Sequence, residues 1–226
     1  ERRVGVPDFL SSHPATEERK AAALAGGPIK DDPAAAQAVA ETGKPKRTLD
    51  PRHREFAVLV EQRDFDALER LFAAHQSRFD QDPATVDALE YAYAAFDHLP
   101  ADAEATLGEW IAKMPASYTA RTARGRFYLG RGLEARGTDL ISATPKANIR
   151  TMQAQLAKAK ADLDASVPLT AKPYVSHLSL IELYQVNGTR EQAQQAYDAA
   201  VRLAPQNLRL RQMWMSILEP RWGGSL

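Results

Sequence analysis

Pro173-Tyr-Val-Ser-His-Leu-Ser-Leu-Ile-Glu-Leu-Tyr-Gln-Val-Asn-Gly188-Thr-Arg-Glu-Gln-Ala193-Gln-Gln-Ala-Tyr197-Asp-Ala-Ala200-Val-Arg-Leu-Ala-Pro205-Gln-Asn207 is the stretch that decides the fold. It reads as two helices joined at Gly188, the second ending before Pro205. Ala193 and Ala200 are small enough to let the second helix lie close against the first, and Tyr184 and Tyr197 are large enough to fill the groove between them. A helix pair of this kind cannot bury its apolar face alone, so further pairs are expected beside it.

The unit resembles a single tetratricopeptide repeat. Leu180, Ile181 and Tyr184 stand where that family has Leu, Gly and Tyr, Gly188 fits the turn, and Ala193, Tyr197, Ala200 and Pro205 fit the second helix and its end. His177 occupies the usual Trp position and Ile181 the usual small-residue position, which predicts looser packing there. An earlier unit echoes it, with Gly125 and Tyr128 in the Gly and Tyr positions and Gly132 at the turn. The two Tyr markers lie 184 − 128 = 56 residues apart. A repeat of about 34 residues then needs an insertion of about 22, which 137–147 and an extended helix reaching 165 can hold. Residues 56–79 give a weaker third match, with Phe56, Leu59, Val60, Phe65, Leu68, Leu71 and Phe72 at helical spacing.

Breaks at Arg63-Asp64, Gln81-Asp82-Pro83, Leu99-Pro100, Met114-Pro115, Gly137, Val167-Pro168, Gly188 and Pro205 divide the chain after Pro51 into about nine helices. The expected fold is all-α, an irregular tetratricopeptide-like helix-pair repeat of α-solenoid type over 52–226. The strings Gly125-Arg-Phe-Tyr-Leu-Gly-Arg-Gly-Leu-Glu-Ala-Arg-Gly137 and Pro220-Arg-Trp-Gly-Gly-Ser225 are similar to a bacterial family of helical-repeat proteins known only as a domain of unknown function. That resemblance implies a fold and no activity. Because members of that family continue past the Trp-Gly-Gly-Ser motif, a chain cut at both ends is expected.

Upstream of the helices, Gly26 to Pro51 is made of Gly, Pro, Ala, Asp and Lys with almost no large apolar side chain, so 28–51 reads as a flexible linker. One short helix, 33–41, is plausible within it, capped by Asp32. Before the linker, Phe9-Leu-Ser-Ser-His13-Pro14-Ala-Thr-Glu-Glu-Arg19 has the start signals of a helix over about 14–25, closed by Gly26-Gly27. The same His13-Pro14 followed by Arg19 resembles the closing segment of CAAX-prenyl-protease-like and HtpX-like zinc metallopeptidases, which makes 1–27 the tail of such a domain. The resemblance implies substrate-contacting roles for His13 and Arg19 within a complete site. It also implies a zinc-binding domain upstream, because the chain contains no His-Glu-x-x-His. Zinc is expected only there, and the setting implied is a bacterial periplasm or membrane-associated envelope, with any membrane contact made through the upstream segments.

Composition narrows the function classes. With 29 basic and 29 acidic residues the chain has no overall field to attract nucleic acid or an anionic membrane. The absence of cysteine excludes thiolate nucleophiles and disulfide staples. Of the histidines His13, His53, His75, His98 and His177, no two lie three or four apart, so no helix face offers a paired-histidine metal site and no cofactor is expected within the chain. His75 and His177 fall on apolar stripes and read as hydrogen-bonded core residues, and His98 as a helix-end charge. Gly130 and Gly132 lack the strand and lysine of a phosphate cradle and read as turn glycines. Asp80, Asp82 and the pairs Glu17-Glu18 and Asp31-Asp32 read as caps or linker acids. Lys44, Lys46, Arg47, Arg52 and Arg54 read as a solvated basic patch, and Trp110, Trp214 and Trp222 with Met213 and Met215 as a second anchoring set in which Trp214 seals the last helix.

One polar constellation points to binding. Arg121, Arg124, Arg126, Arg131 and Arg136 are interleaved with Tyr118, Phe127 and Tyr128, and Arg121, Arg124 and Arg131 share a helical face with Tyr128. The planar guanidinium fork matches carboxylates, so this face is the candidate site for an acidic peptide or chain terminus. The bland alternative is a solvated face paired to Glu134 and nearby acids. The function expected is recruitment of a protein or peptide partner beside an upstream peptidase domain. A stand-alone scaffold or sensor is the second class, and an enzyme working from within the helical domain the third.

Overall fold

The computed structural model describes residues 53–138 and 143–219. His13 and Arg19, the helices expected at 14–25 and 33–41, the expected linker, the basic residues up to Arg52, and Trp222 with its motif all lie outside them. The described residues are all-α, with nine helices and three short 3-10 turns: α1 Arg54–Glu61, α2 Phe65–Gln81, α3 Val86–Ala94, α4 Ala103–Lys113, α5 Tyr118–Arg136, α6 Lys146–Ser166, α7 Tyr174–Asn187, α8 Arg190–Leu203 and α9 Leu208–Leu218. Neighbouring helices pack against one another, most extensively α5 on α6 and α7 on α8, consistent with a helical-repeat fold. Two compact units divide these residues, one within Gly43–Arg211 and the other holding the stretch from Gln212 onward. Helix α9 begins in the first and ends in the second.

The helix ends follow local chemistry. Asp64 accepts from Ala67 N at 3.0 Å to start α2, just after Arg63 takes a left-handed φ of 56°. Ser117 caps α5 through Ala120 N at 2.9 Å. Thr189 and Gln192 form a reciprocal capping box at the start of α8. Gly137, with φ 70°, closes α5 by donating to the carbonyls of Leu133 and Glu134.

The core is aromatic at one end. Phe72 packs on Tyr93 at 4.5 Å and on Phe96 at 5.4 Å between ring centres, while Trp110 stacks parallel to Phe65 and donates to Glu69 at 3.0 Å. Trp110 is completely buried and belongs to this core instead of to an anchoring set at the chain end. Toward α6 the core turns aliphatic, with Leu156, Ala159 and Leu163 buried against α5. In the hairpin of α7 and α8, Ala193 and Ala200 are buried as the close approach of two helices requires.

Helix α5 is the central element, and its glycines explain why. Gly125 and Gly132 lie on one face, where an added Cβ would stand 2.8 Å from the Leu163 side chain and 2.9 Å from that of Leu156. Gly130 lies against the 3-10 turn Ala95–His98, where a Cβ would meet the Asp97 carbonyl oxygen at 2.2 Å. The turn expected at Gly132 is therefore absent: α5 runs unbroken to Arg136, with Gly130 inside it against the backbone of Asp97 and Gly132 against the Leu156 side chain. The lost helix propensity, about 1 kcal/mol per glycine, is offset by that contact.

Candidate partner-binding site

Arg121, Arg124, Tyr128 and Arg131 recur at spacings of three, four and three, which places them along one face of α5. That face lies between α4 and α6. Arg124 reaches across to α6 and makes a two-pronged pair with Asp162, at 2.7 and 2.8 Å. Its guanidinium passes Gly108 of α4, where an added Cβ would lie 3.8 Å from Nη1. The bond to Asp162 raises the pKa of Arg124.

One turn on, the Tyr128 hydroxyl donates to Glu104 of α4 at 2.9 Å, and Lys158 of α6 donates to the same oxygen at 2.9 Å. Lys158 and Arg124 both stand over the Tyr128 ring, at 5.1 and 5.8 Å from its centre. Burial and the Glu104 carboxylate push the Tyr128 hydroxyl up to about 12, while the Lys158 bond lowers the pKa of Glu104. The middle of the stripe is thus held in place by its own helix neighbours. The ends are not: among the described residues Arg121 donates only to the Pro115 carbonyl, at 3.3 Å, and Arg131 pairs only with the exposed Glu134 on its own helix, at 2.8 Å.

Arg126 leaves the series altogether. It projects from the opposite face of α5 and is buried, clamping Asp97 with two guanidinium nitrogens and Glu182 of α7 with a third at 2.6 Å. The same nitrogen donates to Ser179 at 3.3 Å. Arg209 of α9 extends the network, reaching Glu182 at 3.5 Å and Glu90 of α3 at 2.6 Å. Glu90 also accepts from the Tyr174 hydroxyl at 2.6 Å and from Asn207 at 3.0 Å. Three carboxylates here face two guanidinium groups. Burial, aided by Asp97, raises the pKa of Glu182 against the pull of Arg126, and burial with Glu90 raises that of Tyr174. Burial works against the charge of Arg126, but Asp97 and Glu182 outweigh it and hold the group firmly charged.

The remaining chemistry-bearing residues serve packing. Tyr118, Thr122, Ser166 and Ser176 share a buried set of hydroxyl contacts between α5, α6 and α7, from 2.7 to 3.4 Å, and no described histidine hydrogen-bonds to any of them. His177, expected as a core residue, is only half-buried, and burial, with Arg202, lowers its pKa. It lines an open groove of about 360 Å³ between α6, α7 and α8 together with Asp164, Leu180, Tyr184, Gln192 and Gln195. His75 departs from the expectation of a hydrogen-bonded core residue, because its buried Nδ1 has no partner among the described residues. Asp82 caps the turn at Pro83–Thr85, as its position predicts.

Sequence reasoning passed over His53, which stacks on Tyr91 at 4.1 Å and bonds its carbonyl at 3.0 Å. It also passed over Glu90, Asp97, Glu182 and Arg209. A usable signal was present: Glu90 follows Leu89 and Glu182 follows Ile181 within apolar stripes, where a carboxylate needs a buried partner. Among the described residues no three His, Asp or Glu side chains converge as metal ligands, and no helix is long and apolar enough to cross a membrane. No family model, curated protein or solved structure matches the chain.

Proposed function

We propose that the helical body is a protein-interaction module that recruits a partner across the α4–α5–α6 face. It is tetratricopeptide-like in its α7–α8 hairpin, and it serves as the recruitment arm of a zinc metallopeptidase domain belonging to the same protein. The observation that carries the binding reading is the stripe Arg121, Arg124, Tyr128 and Arg131, whose central members are fixed by Asp162, Glu104 and Lys158 before any partner arrives. Side chains already held in one rotamer lose less entropy when a partner docks. The peptidase link rests on His13, Pro14 and Arg19, and with it come the bacterial envelope setting and the zinc, which belongs to the peptidase domain and not to these helices.

Two measurements test the two halves. A photo-crosslinking residue placed at Arg121 or Arg131 should capture a partner in the source cells, whereas the same residue at Gln194 on α8 should not. Equal capture at all three positions, or none at any, refutes the binding face. The intact mass and N-terminal peptide map of the native protein test the peptidase link. A species larger by a domain containing His-Glu-x-x-His and zinc supports it, and a species beginning near Glu1 removes it.

A further inference from the structure

We infer that the partner segment bound at this face is extended and acidic, with two carboxylates four residues apart that engage Arg121 and Arg131 together while Arg124 stays locked to Asp162. The inference rests on the binding reading above and adds the chemistry and spacing of the ligand. Arg121 and Arg131 are ten residues apart on a helix that rises 1.5 Å per residue, so their stems stand about 15 Å apart. In an extended chain, residues four apart point to the same side and span about 13 to 14 Å, a mismatch that two flexible arginines absorb. Residues three apart point to opposite sides and cannot serve both.

Charge favours an acidic occupant. The stripe and its immediate partners comprise four cations, Arg121, Arg124, Arg131 and Lys158, against three carboxylates, Glu104, Glu134 and Asp162. The central groups neutralise one another, which leaves the replaceable positions at the two ends. Arg121 has no carboxylate within ion-pair reach among the described residues. The Arg131–Glu134 pair is exposed, and exposed pairs are worth at most about 1 kcal/mol, so a partner carboxylate displaces Glu134 at little cost.

The experiment is fluorescence anisotropy with the full chain and labelled Gly/Ser peptides, each about ten residues long so that it outspans the stripe when extended. Each peptide carries two Glu residues that are adjacent, three apart or four apart, and a further peptide carries two Lys residues four apart. The four-apart diacid should bind best. Arg121→Ala and Arg131→Ala should each weaken it about fivefold, the effect of one exposed ion pair, and Arg190→Ala on α8 should not. Equal affinity at all spacings, or the Lys peptide binding as well as the diacids, overturns the inference. If crosslinking still localises a partner to Arg121 and Arg131 in that event, the interaction face stands and only its ligand chemistry is wrong.

Discussion

Helix α5 carries a cluster of arginine and carboxylate on each of two opposite faces, and the two are built to different ends. On the outer face, Arg124, Asp162, Lys158, Glu104 and Tyr128 form a partly solvated lattice with two loosely held cations at its margins. On the inner face, Arg126, Asp97, Glu182, Arg209 and Glu90 form a mostly buried network that ties α5, α7 and α9 to α3 and the turn after it. The same residue types thus give exchangeable contacts where water remains and a structural tie where it does not. A salt bridge exposed to water contributes little to stability and is easily traded for another, whereas breaking a buried one strands a charge. Position around the helix, set by a two-residue step from Arg124 to Arg126, decides which role an arginine takes.

The contrast breaks most visibly at Arg126. Arg126→Ala leaves Asp97 and Glu182 facing each other with their shared cation gone, so a loss of about 3 to 5 kcal/mol is expected, measured by urea denaturation. Next comes Gly130→Ala, whose methyl would stand 2.2 Å from the Asp97 carbonyl oxygen. Because that atom is backbone, α5 must lift off the turn and drag Arg126 from its partner. A cost of about 3 kcal/mol is expected, at the upper end for overpacking. Arg124→Ala should cost less, about 2 kcal/mol, because it orphans one carboxylate, Asp162, instead of two. If Arg124→Ala proved as damaging as Arg126→Ala, the division between an exchangeable face and a structural one would fail.

The helices were legible because their signals are local. Asp64, Pro115, Gly137 and Gly188 mark helix boundaries that any chain of this composition would respect, and the 173–207 helix pair with its small alanines announces a hairpin. The arginine series was legible as a set but not as two sets. A helical wheel separates Arg126 from Arg124, yet what Arg126 meets depends on Glu182, 56 residues away, and on Asp97, 29 residues before it. Gly130 and Gly132 misled for the same reason. A glycine in a turn and a glycine under a crossing chain look alike until the crossing chain is placed.

The smallest effect is the dependence on pH, and here the two clusters should move in opposite directions. The pKa of Glu182 is raised above its ordinary 4.5 in the folded protein, so the native state holds a proton there more readily than the unfolded chain does. Its contribution is complete below the unfolded pKa and is lost as pH rises through the folded value. The Glu104 pKa is lowered from 4.5, so its contribution is present above the unfolded pKa and is lost as pH falls through the folded value. Denaturation of the parent chain, Glu182→Gln and Glu104→Gln should be followed as pH is lowered from neutrality to well below 4.5, the ordinary value of both acids. The stability margin of the parent over Glu182→Gln should grow on the approach to 4.5 from above, as Glu182 takes up its proton. Its margin over Glu104→Gln should shrink below 4.5, as the bond from Lys158 loses its carboxylate. Margins that move together would mean that both acids share one environment. The buried network would then be as open to water as the outer face, and the distinction between the faces of α5 would rest on geometry alone.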